Sequence, residues 1–227
     1  MSIENIKVSV VIPAKNEAFT LRDIIIGCKK YASEVLVIDG NSNDGTKKIA
    51  ENEGVKVFQD EGTGKGIAVK LGIEKAIGDI IVFIDADGSH DTKDIPKLIA
   101  PIVNNKADIV IASRVQGGSD EWNRNIDERL RFIGTIVVNT IVNLRWRKKF
   151  TDVQNGFRAL RASAARSLDL KEEITTIEQE MVMKALKKGY RISEISSHEY
   201  ARKYGSSVIV TKKVWYRYLF CLIRNIF

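Results

Sequence analysis

The amino-acid sequence predicts an α/β protein with a mostly parallel, Rossmann-like sheet and helices on both of its faces. Three observations favour this class. In residues 1–113, short apolar runs alternate with segments of helical length, which is the pattern of βαβ units. The apolar runs show no polar alternation, as expected for strands buried on both faces. The chain has 227 residues, 44% of them apolar, and is therefore long enough to bury the core that such a sheet requires.

The order of the elements follows from these runs. We expect strands at residues 8–12, 35–38, 55–58, 80–84 and 109–112, and helices at about 17–30, 45–52, 65–77 and 94–103. After residue 113 the pattern changes to a loop at 116–120, a long amphipathic helix at 127–146, a helix at 178–188, a strand at 191–195 and an extended segment at 198–204. Since no linker or second core is visible, we predict one domain over residues 1–210, followed by an amphipathic segment at 211–227.

Composition and charge restrict the class of function. Cys28 and Cys221 lie far apart in the sequence, so we expect free thiols in a reducing compartment. No apolar run reaches the length of a membrane-spanning helix, and we expect no signal peptide. The net charge is +7, and residues 114–227 carry all of the basic excess. This half is therefore expected to face an anion: nucleic acid, a membrane surface or a phosphorylated substrate.

Polar clusters follow three of the predicted strands, at residues 15–17, 39–44 and 85–91. The carboxyl ends of parallel strands meet at one edge of the sheet, where such folds bind ligands, so we predict a single site there. Asp85 and Asp87 are carboxylates spaced by one residue at the end of a buried strand. They are suited to a divalent cation with oxygen ligands, and such a cation can bridge the phosphates of a nucleotide.

Several segments resemble the family-2 glycosyltransferases, which have the GT-A fold. IPAKNE at 12–17, IDGNSNDGT at 38–46, GKG at 64–66 and DADGSH at 85–90 occur in that family's order and spacing. DVQNGFR at 152–158 and RKYGSS at 202–207 are similar to the dolichyl-phosphate mannose synthases and other polyprenyl-phosphate hexosyltransferases. The resemblance implies an inverting, metal-dependent transferase that moves a hexose, mannose or glucose, from a GDP- or UDP-linked donor to a polyprenyl or dolichyl phosphate.

The resemblance also implies roles for individual residues. The donor nucleotide would be bound by Pro13, Ala14, Asn16, Glu17, Asp39, Lys65, Asp85 and Ala86, and Mg²⁺ or Mn²⁺ by Asp85 and Asp87. The acceptor phosphate would be bound by Arg131, Arg158 and Arg202, and the catalytic set would be Asp152, Arg131 and Arg202. Lys65 follows a glycine at the start of a helix, where free backbone N–H groups favour phosphate.

Four positions depart from the family pattern. Gly40 stands where the family has a second aspartate, which leaves the base preference open between GDP and UDP donors. Lys15 replaces a common aromatic residue, and Ser89 replaces a glutamine ligand of the metal. Val208 stands at the place of a phosphate-binding lysine.

The chemistry of the acceptor decides whether the enzyme needs a general base. A phosphate monoester is already anionic near neutral pH, so it needs arginines to hold it and no base. A hydroxyl acceptor on a saccharide, the alternative, needs a carboxylate among Asp152, Glu178 and Glu180. For Asp152 we prefer a contact to the sugar or the orientation of Arg158. A more distant alternative is a nucleic-acid binder, which would leave the acidic cluster unexplained.

Residues 214–227 predict a helix with apolar and aromatic side chains and a narrow polar stripe of Arg217, Cys221 and Arg224. No acidic residue follows Glu199 in the sequence. Such a helix suits a membrane interface, and packing on the core or on a partner subunit is the alternative. We therefore expect peripheral contact with a membrane, at its cytoplasmic face, and no nucleic-acid partner.

Overall fold

The computed structural model describes residues 6–122, 126–204 and 211–227, without the side chains of residues 126–127 and 211–214. The strands are β1 (Val8–Ala14), β2 (Glu34–Asp39), β3 (Lys56–Gln59), β4 (Ile80–Phe83), β5 (Ile109–Ser113), β6 (Arg158–Arg161) and β7 (Ile192–Ser196). In the described part of the chain they form one seven-stranded sheet in the order β3-β2-β1-β4-β6-β5-β7.

The helices cover both faces of this sheet. They are α1 (Leu21–Lys29), α2 (Thr46–Asn52), α3 (Lys65–Lys75), α4 (Ile95–Val103), α5 (Arg114–Gly117), α6 (Ile126–Trp146), α7 (Ala162–Ser167), α8 (Ile177–Lys187) and α9 (Thr211–Ile226). The expected α/β class is confirmed. The expected loop at 116–120 is partly wrong, because its first residues belong to the short helix α5, which begins after the capping residue Ser113.

β1 lies at the centre of the parallel half of the sheet. Val10 pairs with Val35 of β2 on one side and with Val82 of β4 on the other, both in parallel register. Val10 and Val11, consecutive in β1, belong to different buried clusters on the two faces. Since successive side chains of a strand point to opposite faces, an uninterrupted apolar run is what this two-sided burial requires.

The strand β6 was not expected from the sequence. It lies between β4 and β5 and is antiparallel to both. Its segment, Arg158–Arg161, has two apolar residues between two arginines, too short a run to stand out as a strand. α7, which follows directly, was missed for the same reason.

α9 packs on α6 and α8 and contributes Cys221 and Leu222 to the core. Its outward face carries exposed aromatic and aliphatic side chains, including Phe220 and Ile223. The helix therefore packs on the core with one side and leaves an apolar side uncovered in the described structure. Cys221, expected in a polar stripe, is buried.

Candidate active site

A cavity of about 770 Å³ lies along the carboxyl edge of the sheet. One end is bordered by the loops that follow β1, β2 and β3, the middle by the loop after β4 and the start of α3, and the far end by α6, α8 and α9. Among the residues expected at the site, the cavity is lined by Pro13, Ala14, Glu17, Lys65, Asp85, Ala86, Asp87, Arg131 and Arg202. The structure thus brings these residues together at the edge that the sheet topology predicts.

Asp39 and Asn16 are close to the cavity without lining it. The Asp39 carboxyl is buried at the end of β2, where Oδ2 accepts from the Ser42 N–H at 3.2 Å and Oδ1 has no partner among the described residues. Asn16 adopts a left-handed backbone conformation, with φ of 56°, and its Oδ1 accepts from the Asn43 N–H at 3.0 Å. Asn16 therefore joins the loops after β1 and β2, and the direct nucleotide contact expected for its side chain is not what this placement gives.

The middle of the cavity holds three carboxylates, Glu17, Asp85 and Asp87. Arg202 bridges two of them: Nη1 lies 3.0 Å from Glu17 Oε1, and Nη2 lies 2.9 Å from Asp87 Oδ2. Burial raises the pKa of the Glu17 carboxyl above its usual value; the ion pair with Arg202 opposes this rise, and Asp87 and Asp85 add to it. The concentration of negative charge in a partly dry site favours the entry of cations.

Lys65, the first residue of α3, lies between two carboxylates. Its Nζ is 2.5 Å from Asp85 Oδ1 and 3.0 Å from Glu178 Oε1. Burial opposes the charge of the ammonium, but Asp85 and Glu178 outweigh it and raise the pKa of Lys65. Gly156 makes this contact sterically allowed, because a Cβ at that position would overlap Lys65 Nζ and lie 2.9 Å from Asp85 Oδ2. Lys65 is thus a fixed cation beside the first aspartate of the pair.

The residues present can supply part of a divalent-metal site. In the described portion of the chain, no three His, Cys, Asp or Glu side chains converge as a ligand set. Ser89, at the position of the family's glutamine, donates to Asp87 Oδ1 at 2.7 Å. Mg²⁺ typically takes one or two protein carboxylates and completes its shell with substrate phosphates and water. Asp85 and Asp87, which both line the cavity, fit that requirement as a pair.

Arg202 belongs to a short strap, residues 197–204, that crosses the loop after β4. The Tyr200 N–H donates to Ser89 O at 2.8 Å, and Glu199 forms isolated bridges with His90 and Ser119. At the end of the strap, the Tyr204 ring stacks on Phe19 with centroids 5.0 Å apart. These contacts hold Arg202 over the carboxylates of the site.

Asp152 does not orient Arg158; it binds Arg114, which the sequence analysis missed. Asp152 is completely buried, and its two oxygens accept from Arg114 Nε at 2.6 Å and Nη2 at 2.9 Å. Arg114 also reaches Glu199 Oε1 at 3.2 Å and lines the cavity. This placement corrects the catalytic role expected for Asp152, because a carboxylate saturated by a bidentate arginine beneath the site cannot act as its base.

Arg158 is likewise below the cavity and not in it. It is 1% exposed, and its guanidinium donates to the backbone carbonyls of Val153, Asn155 and Glu178. Burial lowers the pKa of the Arg158 guanidinium to about 10. The expected contact of Arg158 with the acceptor phosphate is therefore wrong: its N–H groups are used to tie the 153–156 loop to the start of α8.

The far end of the cavity is apolar. Side chains of α6 and α9 face each other there, and they include Val137, Val138, Ile141, Trp215, Leu219 and Leu222. Arg131, on α6, and Arg114 line the same cavity. Trp122 and Phe132, with ring centroids 4.5 Å apart, line the same wall. The lining of the cavity thus combines carboxylates, arginines and an apolar groove formed by α6 and α9.

The helices that form this groove also expose apolar side chains to the outside. Those that do not line the cavity are Ile133, Ile136 and Leu144 on α6 and Tyr216, Phe220 and Ile223 on α9. Exposed apolar patches of this kind mark interaction sites more often than inert surface. None of the helices in the described residues combines the length and the apolarity needed to cross a bilayer.

Arg114 and Asp60 line the cavity but were not predicted from the sequence, and Lys15 was placed in the polar cluster after β1 without a role. A usable signal existed for Lys15 and Asp60, since each follows a parallel strand at the carboxyl edge. Arg114 follows β5 in the same way, but a single arginine at a strand end is not distinctive without knowledge of the buried carboxylate that holds it.

Comparison with known proteins agrees with this geometry. Residues 9–169 match the family described as glycosyl transferase family 2. The glycosyltransferase AglJ of Haloferax volcanii is 30% identical over 88% of this chain and 65% of its own length. A relative from Methanococcus voltae, named UDP-N-acetylglucosamine–dolichyl-phosphate N-acetylglucosaminyltransferase, is 26% identical over 92% of this chain and 93% of its own.

A solved structure shows the same fold. Glucosyl-3-phosphoglycerate synthase of Mycobacterium tuberculosis, crystallised with Mn²⁺, UDP and glucosyl-3-phosphoglycerate, superposes with a TM-score of 0.77 at 19% identity, covering 98% of this chain and 80% of that one. The GT-A fold expected from the sequence is thereby confirmed. With the family match extending over most of the domain, the chain belongs to glycosyl transferase family 2.

Proposed function

We propose that this glycosyltransferase is an inverting, metal-dependent enzyme that moves a hexose from a nucleoside diphosphate sugar to a polyprenyl phosphate. The observation that carries the proposal is the lining of one cavity, to which a carboxylate pair, three arginines and the apolar side chains of α6 and α9 all contribute. The printed name of the Methanococcus voltae relative supports a lipid phosphate as acceptor, and the Mn²⁺ and UDP of the solved neighbour support the donor class.

The donor would lie along the carboxyl edge of the sheet. Its base would enter between the loops after β1, β2 and β3, where Pro13 and Ala14 line the cavity and the buried Asp39 lies beside Ala14 in the sheet. Its diphosphate would lie beside Asp85, Asp87 and Lys65. A divalent cation held by the two aspartates would offset the negative charge that develops on the diphosphate as it leaves.

Lys65 supplies a positive charge at the same place. Its helix begins after Gly64 at the border of the cavity, where the positive end of the helix dipole favours an anion. The Gly66 N–H itself already donates to the Glu173 carbonyl at 2.8 Å. In the described structure Lys65 neutralises Asp85 and Glu178. A bound diphosphate would join this cluster, and Lys65 would then stabilise the leaving group directly.

The acceptor phosphate would be held by the arginines that line the cavity. Arg131 and Arg114 line the cavity, and Arg202 pairs with Asp87 in it. Asp152 holds the Arg114 guanidinium by two hydrogen bonds, which fixes its direction before the acceptor arrives. A phosphate monoester brings its own negative charge to the reaction, so no proton needs to be removed.

The lipid chain would occupy the groove between α6 and α9. The exposed apolar residues of both helices would then contact the membrane from which the acceptor comes, with Arg145, Arg217 and Arg224 near anionic head groups. Contact with a membrane at its cytoplasmic face remains part of this proposal. The basic half of the chain is explained by phosphate and lipid without a nucleic-acid partner.

A hydroxyl acceptor is the second candidate. Of the three carboxylates considered as bases, Glu180 is buried and accepts from the Lys171 and Glu172 N–H groups, and Asp152 is held by Arg114. Glu178 lines the cavity, although Lys65 occupies one of its oxygens. A hydroxyl acceptor would therefore need Glu178, and Glu178→Gln would then abolish turnover with little effect on the binding of the nucleotide.

The test is a transfer assay with labelled UDP- and GDP-hexoses and a short-chain polyprenyl phosphate, following label into organic solvent with Mg²⁺, with Mn²⁺ and with EDTA. We expect metal-dependent transfer that Asp87→Asn reduces by at least about a hundredfold, since the charge facing the leaving group is removed. Asp23→Asn, an exposed aspartate on α1, is the matched control and should keep wild-type activity. Undiminished transfer in EDTA, or label that moves only to water-soluble saccharides, would contradict the proposal.

A further inference from the structure

The strap that carries Arg202 is held along one side by the segment at residues 117–121. The Asp120 N–H donates to the Glu199 carbonyl at 2.9 Å. The Asp120 carboxylate in turn accepts, through Oδ2, from the Ala201 N–H at 3.2 Å, one residue before the arginine. The position of Arg202 therefore depends on how firmly the strap stays attached to this segment.

His198 joins the strap to both ends of the same segment. Its Nδ1 lies 3.0 Å from the Gly117 carbonyl oxygen, and its Nε2 lies 3.0 Å from Asp120 Oδ1. Gly118 makes this approach sterically allowed: its φ is 93°, and a Cβ there would lie 2.9 Å from His198 Nδ1. The imidazole ring is thus seated between two fixed oxygen atoms.

Both of these oxygen atoms are acceptors, which makes the contact sensitive to the charge of the ring. A backbone carbonyl and a carboxylate have no proton to donate. A neutral imidazole has one N–H and can satisfy one of them, so its other nitrogen turns a lone pair toward an oxygen atom. The imidazolium has two N–H groups and donates to both. Only the protonated form of His198 therefore makes both attachments.

The surroundings of His198 favour that form. The charged groups near the ring are Asp120 and Glu199, and the Tyr200 ring packs edge-on against it with centroids 4.7 Å apart. The hydrogen bond to the Gly117 carbonyl raises the pKa of His198 above its usual value; burial opposes the rise, and Asp120 and Glu199 add to it. The second hydrogen bond is thus present below this raised pKa and is lost as the pH rises through it.

We infer that His198 is a positioning residue for Arg202: as an imidazolium it fastens the strap to Gly117 and Asp120, and so keeps Arg202 in place for the acceptor phosphate. When the ring loses its proton, the strap loses one of its attachments, and the acceptor is bound less tightly. This inference rests on the proposed function, because it concerns how the same site holds its acceptor.

The protonation of His198 can be measured without any substrate. The chain has two histidines, so ¹H–¹⁵N spectra of the ring nitrogens, assigned with His198→Gln, follow this ring through a pH titration. We expect a pKa above the ordinary value of about 6.5, and a lower one in Asp120→Asn. Asp23→Asn, an exposed aspartate on α1, is the matched control and should leave the pKa of His198 unchanged. A pKa of about 6.5 or lower in the wild type, or one unaffected by Asp120→Asn, would overturn the inference.

Hydrogen exchange of the whole chain measures the attachment of the strap. Protection of the N–H groups of residues 199–202, corrected for the intrinsic exchange rate, should fall about fivefold between about pH 5.5 and about pH 8 in the wild type, the size expected for one hydrogen bond. In His198→Gln, which has one N–H at every pH, protection should stay low throughout. Protection that is equal in the two proteins at both pH values would overturn the inference.

The transfer assay measures the consequence for the acceptor. At about pH 5.5 the KM of His198→Gln for a short-chain polyprenyl phosphate should be about fivefold above that of the wild type, and at about pH 8 the two should agree. The comparison is made at equal pH because the phosphate itself titrates near pH 6. Thermal unfolding of the variant verifies that it is folded at both pH values.

The outcomes separate this inference from the proposed function. A ratio of the two KM values that is the same at both pH values would show a merely structural role, and would overturn the inference while the proposed function stands. A wild type that transfers nothing to polyprenyl phosphate would overturn the proposed function. The exchange measurement would in that case still decide whether the charge of His198 holds the strap.

Discussion

Gly156 offers a sharp test of the site, because its missing side chain is what allows Lys65 to reach Asp85. In Gly156→Ala the new methyl group would overlap Lys65 Nζ and lie 2.9 Å from Asp85 Oδ2. Both atoms are the ends of flexible side chains, so they can move aside without disturbing the backbone. The substitution is therefore expected to separate the ion pair while the fold stays intact.

The two expected effects differ in size. The Lys65 and Asp85 side chains are 22% and 28% exposed, so breaking the pair should lower the free energy of unfolding by only about 1 kcal/mol. For a chain of this length, that corresponds to a fall in Tm of about 2–4 °C. Displacing catalytic groups by about 1 Å can cost a hundredfold in rate, so we expect kcat/KM to fall about a hundredfold.

The control is Gly72→Ala on α3, where a new methyl group would meet Val11 in the core and not the site. Val11 is buried and β-branched, so overpacking should cost about 1–3 kcal/mol of stability, while activity below the melting transition stays close to wild type. Thermal unfolding measures the loss of stability in each of the two variants, and the transfer assay measures the loss of activity. Wild-type turnover in Gly156→Ala, or a fall in its Tm larger than that of Gly72→Ala, would refute the reasoning.

Three further outcomes follow from other contacts. Asp152→Asn should lower the free energy of unfolding by about 3 kcal/mol in urea titration, because Arg114 loses its ion pair with Asp152 and keeps the one with Glu199; an unchanged free energy of unfolding would contradict this account. Burial opposes ionisation of Glu34, but hydrogen bonds from the Ile77 N–H, Ser9 and Lys56 outweigh it and lower the pKa of Glu34. Glu34→Gln should therefore lower the free energy of unfolding most at neutral pH, and the difference from the wild type should decrease as the pH falls below 4.5. A difference that does not depend on pH would contradict this account. In Gly134→Ala on α6, the new methyl group would meet no described atom within 4 Å, and the free energy of unfolding should rise by about 0.5–1 kcal/mol in urea titration. A fall in the free energy of unfolding would mean that the groove is tighter than described.

The parallel half of the fold was predictable because its signals are local. Each βαβ unit places a strand and its helix within some thirty residues, so the apolar runs near β1, β2 and β4 are read directly from the sequence. β6 was not predictable in this way. Its pairing with β4 and β5 joins residues about fifty to eighty positions apart, and a four-residue strand has no periodicity of its own.

The site was predictable to the level of loops but not of side chains. Parallel topology brings the ends of β1, β2 and β4 to one edge, which located Glu17, Asp85 and Asp87 correctly in the cavity. Which side chain of a loop faces the cavity depends on backbone conformation, and the left-handed turn at Asn16 directs it to the neighbouring loop. The partners of buried charged residues could not be predicted either, because the ion pair between Asp152 and Arg114 joins residues that are distant in the sequence.

The central position of β6 has a consequence for how the chain can be divided. β4 and β5 do not touch each other in the sheet, because the returning segment at 158–161 separates them and hydrogen-bonds to both. A fragment that ends before that segment would leave one edge of β4 and one edge of β5 unpaired, and would be prone to self-association. The parts of the chain before and after that segment are thus interlocked in one sheet, and neither is expected to fold independently.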